Sequence, residues 1–352
     1  MTTSILTAGI LGLDKNGQTL LEAAHRSGYF HIQAVADLDQ QRVERIAAEF
    51  KCDAYTDYRQ LVVQNQLDCL LVAADIHHCD EHLRIALKKK FHVLKLAPPA
   101  RNFEEAFTYV QIAESEGVRF AIANPARFTS SRIKARELIG QGRVRQIYLV
   151  TARCVVNDVG RSPWQADPKL AGGGVLLHNG YQTIDQIFWN FPLPQQVYTL
   201  ATNQAPDKQQ RLYLTEDTAV VSLKFSDALT GSVTAMRRGD ISLAETVLHV
   251  YGKDALLTVT NNEVTLATHA ESENRTWQYN ETEYDVMARL VSSFARSLQS
   301  PDEHELASSA AENLKNMAVL ESAYLSARTG FPEEPARIPQ ISGAPASATT
   351  SL

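Results

Sequence analysis

The chain has 352 residues, 44% hydrophobic and 21% charged, with a formal net charge of -6 and a pI near 5.9. That is long and apolar enough for two domains with substantial cores, so disorder of the whole is excluded. The net negative charge gives no general attraction to nucleic acid or anionic membrane, which need clustered cations, and a small-molecule ligand is the better expectation.

The first residues, Met1 to Leu13, carry no positive leader and soon meet Gly9 and Gly12, so they read as a strand and turn rather than a signal peptide. No apolar run approaches the ~20 residues needed to cross a bilayer. The four cysteines, Cys52, Cys69, Cys79 and Cys154, lack paired spacing and suit reduced thiols in a cytoplasm. A cytoplasmic protein is therefore expected.

Along the chain, Ile5–Leu11, Ile32–Asp37, Leu67–Ala74, His92–Leu96 and Arg119–Ala123 read as short apolar strands. Between them Leu20–Arg26, Arg42–Phe50, His82–Lys90 and Glu104–Glu116 carry helical spacing. Strand and helix in strict turn predict a doubly wound parallel sheet of the Rossmann type over residues 1–124. The basic run Lys88-Lys89-Lys90 falls at a predicted helix C-terminus, where cations complement the dipole.

From residue 125 to 330 the rhythm changes. After a helix at Ser130–Ile139 come long β-rich segments: Ile147–Val156, Gln196–Thr202, Thr218–Arg238 and Thr246–Thr268. Val221, Leu223 and Phe225 alternate with polar neighbours, which predicts an open, mostly antiparallel sheet with one wet face in an α+β domain. Helices are expected at Gly180–Asn190, Tyr284–Leu298 and Glu305–Ala327. Residues 331–352, rich in Pro, Ser and Ala, read as a tail that stays disordered unless it docks on a partner.

The turn after the first strand, Gly12-Leu13-Asp14-Lys15-Asn16-Gly17, fits the dinucleotide fingerprint G-x-G-x-x-G except at its centre, where Asp14 replaces glycine. Two like charges ~4 Å apart at an effective dielectric of ~20 cost about 4 kcal/mol, so Asp14 disfavours a pyrophosphate unless it turns outward, with Lys15 offsetting it. Asp37 ends the second strand, where an acid accepts ribose hydroxyls and repels a 2′-phosphate; NAD is favoured over NADP. The alternative is that the two glycines merely shape a turn and Asp37 caps the next helix.

Together, Gly9-Ile10-Leu11-Gly12-Leu13, Val35-Ala36-Asp37-Leu38-Asp39, His92-Val93-Leu94 with Pro98, Asn124-Pro125-Ala126-Arg127-Phe128, Gly142-Arg143-Val144, Trp164 to Gly174 and Ser326-Ala327-Arg328-Thr329-Gly330 resemble the Gfo/Idh/MocA family of NAD(P)-dependent oxidoreductases. The resemblance spans about residues 4–330. It implies dinucleotide contacts from Gly12, Leu13, Asp14, Asn16, Gly17, Asp37, Ala74 and Pro98. It also implies a sugar-like substrate against Trp164, Tyr181 and Gln182, and homo-oligomers through the open sheet. Family members carry Glu-Lys-Pro at the end of the fifth strand, where this chain has Leu96-Ala97-Pro98. Their Asp and His after the triple glycine correspond here to His178 and Gln182, and Cys79 stands where a histidine usually opens the helix after the fourth strand.

Hydride transfer from a carbinol needs a group to take the hydroxyl proton. Ala97 and Gln182 cannot. His178 can, because an imidazole ordinarily titrates near neutrality; Asp185 is expected one helical turn beyond Gln182 as its orienting carboxylate, and Lys95, on the same strand face as Ala97, is a second candidate. The alternative for His178 is a hydrogen-bonded structural histidine. His78 and His82 share a helix face, but without a third placed ligand no metal is expected. The leading expectation is a diverged oxidoreductase acting on a sugar, polyol or related hydroxy compound. The second is a catalytically silent binding protein, a regulator or assembly partner on the same fold.

Overall fold

The computed structural model describes residues 5–157, 162–204, 214–238, 244–269 and 274–341. The chain divides into two compact units. The first holds the chain up to Ala100, Glu105–Pro125 and Thr282–Asn313; the second holds Arg101–Glu104, Ala126–Glu281 and the chain from Leu314 onward.

In the first unit, β1 (Leu6–Leu11), β2 (Phe30–Ala36), β3 (Asp53–Tyr55), β4 (Cys69–Val72), β5 (His92–Leu96) and β6 (Phe120–Ala123) form a sheet in the order β3-β2-β1-β4-β5-β6. Every pairing is parallel. All four residues of β4, Cys-Leu-Leu-Val, are fully buried, as a central strand covered on both faces must be. The helices that cover it are α1 (Lys15–Arg26), α2 (Gln40–Phe50), α3 (Tyr58–Gln64), α4 (Asp80–Lys88) and α5 (Phe103–Glu116). Asp14, Asp39 and Asp57 each accept a backbone N–H as the N-caps of α1, α2 and α3, which fixes where these helices begin. The basic run ends α4 as expected. Lys89 reaches across to donate to the carbonyls of Val62, Val63 and Asn65 at 3.0, 2.9 and 2.6 Å, closing the C-terminus of α3. The short β3 and α3 escaped the sequence reading because neither is long enough to show a period.

The second unit opens with α6 (Ser130–Gly140). Its sheet, in the order β14-β13-β12-β11-β7-β10-β9-β8, comprises β7 (Leu149–Asn157), β8 (Gln196–Thr202), β9 (Thr218–Lys224), β10 (Thr230–Arg238), β11 (Glu245–Tyr251), β12 (Ala255–Val259), β13 (Glu263–Thr268) and β14 (Arg275–Gln278). Pairing is antiparallel except between β7 and β10. The segment expected as one run at 218–238 is a hairpin, turned where Phe225 N–H donates to Leu229 O at 3.1 Å. In β9 the period of two is plain: Ala219, Val221 and Leu223 are buried, while Val220, Ser222 and Lys224 face outward. Three further helices, α7 (Pro168–Ala171), α8 (Val175–His178) and α9 (Tyr181–Asn190), lie between β7 and β8 in sequence.

Helix α10 (Glu283–Gln299) follows the last strand of the second unit in sequence yet belongs to the first, which a division at residue 124 did not anticipate. Its stripe of Val286, Met287, Leu290, Val291 and Phe294 is buried, and Tyr284 lies under the Arg26 guanidinium of α1 at 5.5 Å. Burying such side chains is worth ~1.5–3 kcal/mol each, enough to draw the chain back. Helix α11 (Ala310–Thr329) then returns to the second unit. The tail is ordered further than its composition implied. Glu333 and Val197 exchange two backbone hydrogen bonds at 2.8 Å, and Ile338, which opens α12 (Ile338–Ile341), is 1% exposed. A strand edge and one buried isoleucine thus hold residues 333–341; residues 342–352 lie outside the described part.

Candidate active site

The nucleotide loop of the first unit is built from two glycines that cannot be replaced by anything larger. Gly12 sits at φ +84, and a Cβ there would lie 2.4 Å from the backbone N of Ala74 at the end of β4. A Cβ on Gly17 would lie 2.1 Å from the carbonyl oxygen of Gly12. These are the tight turn and the close helix approach of a dinucleotide loop. Between them Asp14, Lys15 and Asn16 are exposed. Asp14 does not turn away: its Oδ1 accepts the Gly17 N–H at 2.8 Å, so the carboxylate stands at the N-terminus of α1. Lys15 does not offset it, because its Nζ lies 2.8 Å from Glu283 Oε2 on α10.

Asp37 is 4% exposed, and both its oxygens are engaged. Oδ2 accepts the Leu13 N–H at 2.6 Å and Oδ1 accepts the Asp39 N–H at 2.9 Å. Arg42 donates to both oxygens at 3.2 and 3.3 Å and also pairs with Asp39. Asp37 therefore ties the glycine turn to the end of β2, and the Arg42 guanidinium closes over it. Neither the tie to Leu13 nor Arg42 was evident in the sequence, where the only signal was a basic residue five positions beyond the acid.

At the end of β5, Ala97 is half-buried and Lys95 is 3% exposed. The Lys95 ammonium curls along the strand and donates to the carbonyls of Leu96 at 3.0 Å and Pro98 at 2.7 Å, so it lies beside the small side chain at 97. Burial lowers its pKa from the ordinary lysine value, against the smaller opposing influence of the neighbouring Cys79 and Glu105 side chains. Cys79 is buried, its thiol directed at the carbonyls of Ala74 and Asp75, both at 3.2 Å. His78 and His82 both lie edge-on to the ring of Tyr58, and burial lowers the pKa of His82.

In the second unit the triple glycine makes room for a carboxylate. Glu216 is 9% exposed; it accepts the Gly174 N–H at 2.7 Å, the Leu176 N–H at 2.9 Å and the Tyr324 hydroxyl at 3.0 Å. A Cβ on Gly174 would sit 1.9 Å from the Glu216 carbonyl, and one on Gly173 would sit 2.0 Å from the Tyr324 hydroxyl. Burial raises the Glu216 pKa, outweighing these hydrogen bonds. The carboxylate satisfies amides at the start of α8, the single turn that ends at His178. Sequence reading missed Glu216, because a lone acid before a β-strand carries no recognisable signature. His178 Nε2 lies 3.0 Å from the Ala171 carbonyl, which only accepts; Nε2 carries the proton there, and in the neutral ring Nδ1 holds the lone pair. Trp164, in a short 3-10 turn, packs edge-on to the imidazole with ring centroids 5.6 Å apart.

Two expectations for this unit, for Asp185 and for Tyr181, are corrected. His178 and Asp185 do not share a helix, because α8 closes at His178 and a new helix starts after Gly180, whose Cβ would meet the Leu176 carbonyl at 2.7 Å. Asp185, expected to orient His178, is fully buried and accepts Arg127 Nε at 2.7 Å, Arg127 Nη2 at 2.6 Å and Asn316 Nδ2 at 2.8 Å. Tyr181, expected against the substrate, is likewise fully buried, with its hydroxyl 3.4 Å from Asn316 Nδ2. Gln182 is exposed.

Residues 6–124 match the family model of the oxidoreductase family with an NAD-binding Rossmann fold, and residues 133–258 match that of the GFO/IDH/MocA C-terminal domain. D-glucoside 3-dehydrogenase of Escherichia coli (strain K12) is 26% identical over 202 residues, covering 55% of this chain and 56% of that protein. The 2,7-anhydro-N-acetylneuraminate hydratase of the same organism is 27% identical over 176 residues, covering 49% and 47%. The chain thus spans about half the length of the curated relatives it matches. A solved levoglucosan dehydrogenase in complex with NADH and levoglucosan superposes with a TM-score of 0.84 at 15% identity, over 94% of this chain and 99% of that one. The chain belongs to the Gfo/Idh/MocA family.

Proposed function

We propose, from that membership, that the protein is an NAD-linked oxidoreductase acting on a sugar, polyol or related hydroxy compound. The observation that carries this reading is the loop from Gly12 to Gly17, packed under Ala74 and tied by Leu13 to Asp37. The two glycines admit a dinucleotide backbone at close range, and the residues that would hold it are Gly12, Leu13, Asn16, Gly17, Asp37, Ala74 and Pro98. When bound, NAD accepts or returns a hydride at its nicotinamide ring. The chain's own contribution is to bind the substrate and move the hydroxyl proton. His178 is the proposed acid/base, its ring held by the Nε2–H bond to the Ala171 carbonyl. Lys95, a buried ammonium beside Ala97, is the second proton-handling group. Trp164 and Gln182 are proposed to line the substrate site, with Trp164 also holding the imidazole plane.

The test is turnover of NADH with a panel of keto-sugars. Activity abolished in His178→Ala, with NADH binding retained, supports the assignment, and unchanged turnover removes His178 from the mechanism.

A second reading, a catalytically silent binding protein, is favoured by Ala97 and by the engagement of Asp185 with Arg127 rather than with a reacting group. Calorimetric titration with NAD and NADP separates the two, since a protein that binds neither is not a nicotinamide oxidoreductase. Self-association through the second-unit sheet is also proposed. Leu200 and Val220, paired across β8 and β9, stand 62% and 42% exposed, and sedimentation as a monomer at micromolar concentration counts against it.

A further inference from the structure

The nucleotide loop is closed on groups of its own chain. The Gly12 N–H donates to Ala36 O at 2.9 Å, Leu13 N–H to Asp37 at 2.6 Å, Gly17 N–H to the Asp14 carboxylate at 2.8 Å and Gln18 N–H to the Asp14 carbonyl at 2.8 Å. A helix N-terminus offers about half a positive charge, and this is what a dinucleotide loop lends to a pyrophosphate. Here the Asp14 carboxylate has taken that place, with a full negative charge and one of the first-turn amides.

Two cations of the same unit do not restore the balance. Lys15 is paired with Glu283 at 2.8 Å, and Arg42 is held between Asp37 and Asp39 at 3.2 and 3.3 Å. Two glycines that welcome the close approach of a phosphate are thus combined with a side chain that opposes its charge.

We propose that Asp14 is a resident anion that sets the affinity of this loop, so that the site holds a pyrophosphate-bearing dinucleotide loosely and releases it readily. The inference rests on the oxidoreductase reading, since it presumes that a dinucleotide binds here. Asp14 is exposed, so solvent screening limits the effect to about tenfold in Kd, equivalent to about 1.4 kcal/mol.

Titration of the full chain with NADH, followed by nucleotide fluorescence, tests it. Asparagine caps a helix as well as aspartate, so Asp14→Asn keeps the Gly17 hydrogen bond and removes only the charge. A melting temperature equal to that of the wild type verifies that the fold is intact. NADH is expected to bind Asp14→Asn about tenfold more tightly than wild type, with the gap narrowing as salt is added. Equal or weaker binding by Asp14→Asn overturns the inference while leaving the oxidoreductase reading in place. Absence of NADH binding in wild type, Asp14→Asn and Asp14→Gly alike overturns both.

Discussion

Asp185 and Arg127 form a two-point ion pair, with Nε and Nη2 at 2.7 and 2.6 Å from the two carboxylate oxygens and side-chain exposures of 0% and 4%. Asn316 donates to the same carboxylate, and the ring of Trp189 lies under the guanidinium at 5.6 Å. The pair is thus a structural joint between α9 and the residues that follow β6, and its charges are satisfied without a ligand.

Removing one partner leaves the other as an uncompensated buried charge. Asp185→Ala is therefore expected to cost about 3–5 kcal/mol. Urea denaturation measures it directly, and a loss below about 1 kcal/mol would mean that the joint is open to water.

Three glycines of the first unit give a graded series. Gly28 at φ +74 has open space where a Cβ would stand, so Gly28→Ala should cost only the left-handed strain of about 1–2 kcal/mol. Gly12→Ala adds a collision with Ala74 to similar strain, and Gly17→Ala places a methyl on the Gly12 carbonyl at ordinary φ. Both should fall below Gly28→Ala in denaturation midpoint and both should lose NADH binding. Equal midpoints for all three variants would contradict the packing described.

Glu216 makes stability depend on pH. Burial raises its folded pKa above the ordinary carboxylate value of 4.5, so between the unfolded and folded values the native state holds more protons than the unfolded state. Stability attributable to this group therefore falls as pH rises through that window, opposite to the behaviour of a carboxylate in a salt bridge. Glu216→Gln should be less stable overall, because an amide NH2 faces backbone N–H groups, but should lack that downward slope. Thermal melts from acid to neutral pH decide the matter; an unchanged slope would remove Glu216 as its source.

His178 and Lys95 are separable by kinetics. His178→Ala removes the proposed acid/base and is expected to lower kcat by about 10²–10⁴-fold with little change in NADH affinity. Lys95→Met keeps the volume and removes the ammonium beside Ala97. If Lys95 shares in proton handling, kcat falls in that variant too, and the alkaline limb of the pH–rate profile moves. A Lys95→Met enzyme with wild-type kcat and pH profile would restrict Lys95 to holding the carbonyls of Leu96 and Pro98.

Several features of the site were legible because they depend on neighbours in the chain. Gly12 and Gly17 announced a turn needing positive φ and close packing, and the period of two in Val221 and Leu223 announced a sheet with one buried face. The pairing of His178 with Asp185 was misread because helical spacing was carried across Gly180, where the chain begins a new helix. Tyr181 was placed against the substrate by the family resemblance, whereas its hydroxyl faces Asn316 in the core. The tail from Glu333 to Ile341 was misjudged because composition reports how much a segment can bury, not whether an open strand edge awaits it.

Alternating apolar runs, turn glycines and capping acids are local, since each acts within a few residues through backbone geometry and hydrogen bonds. They therefore settled the Rossmann half, the second sheet and the presence of a nucleotide loop. Which way Asp14 points, what Asp37 holds, that Glu216 secures the turn ending at His178, and that Asp185 belongs to Arg127 are matters of partners 3, 24, 40 and 58 positions away. Among these only the cap on Gly17 is local. The others arise where packing brings distant segments together and a buried charge must find whatever donor the fold supplies, a choice that only the tertiary structure makes.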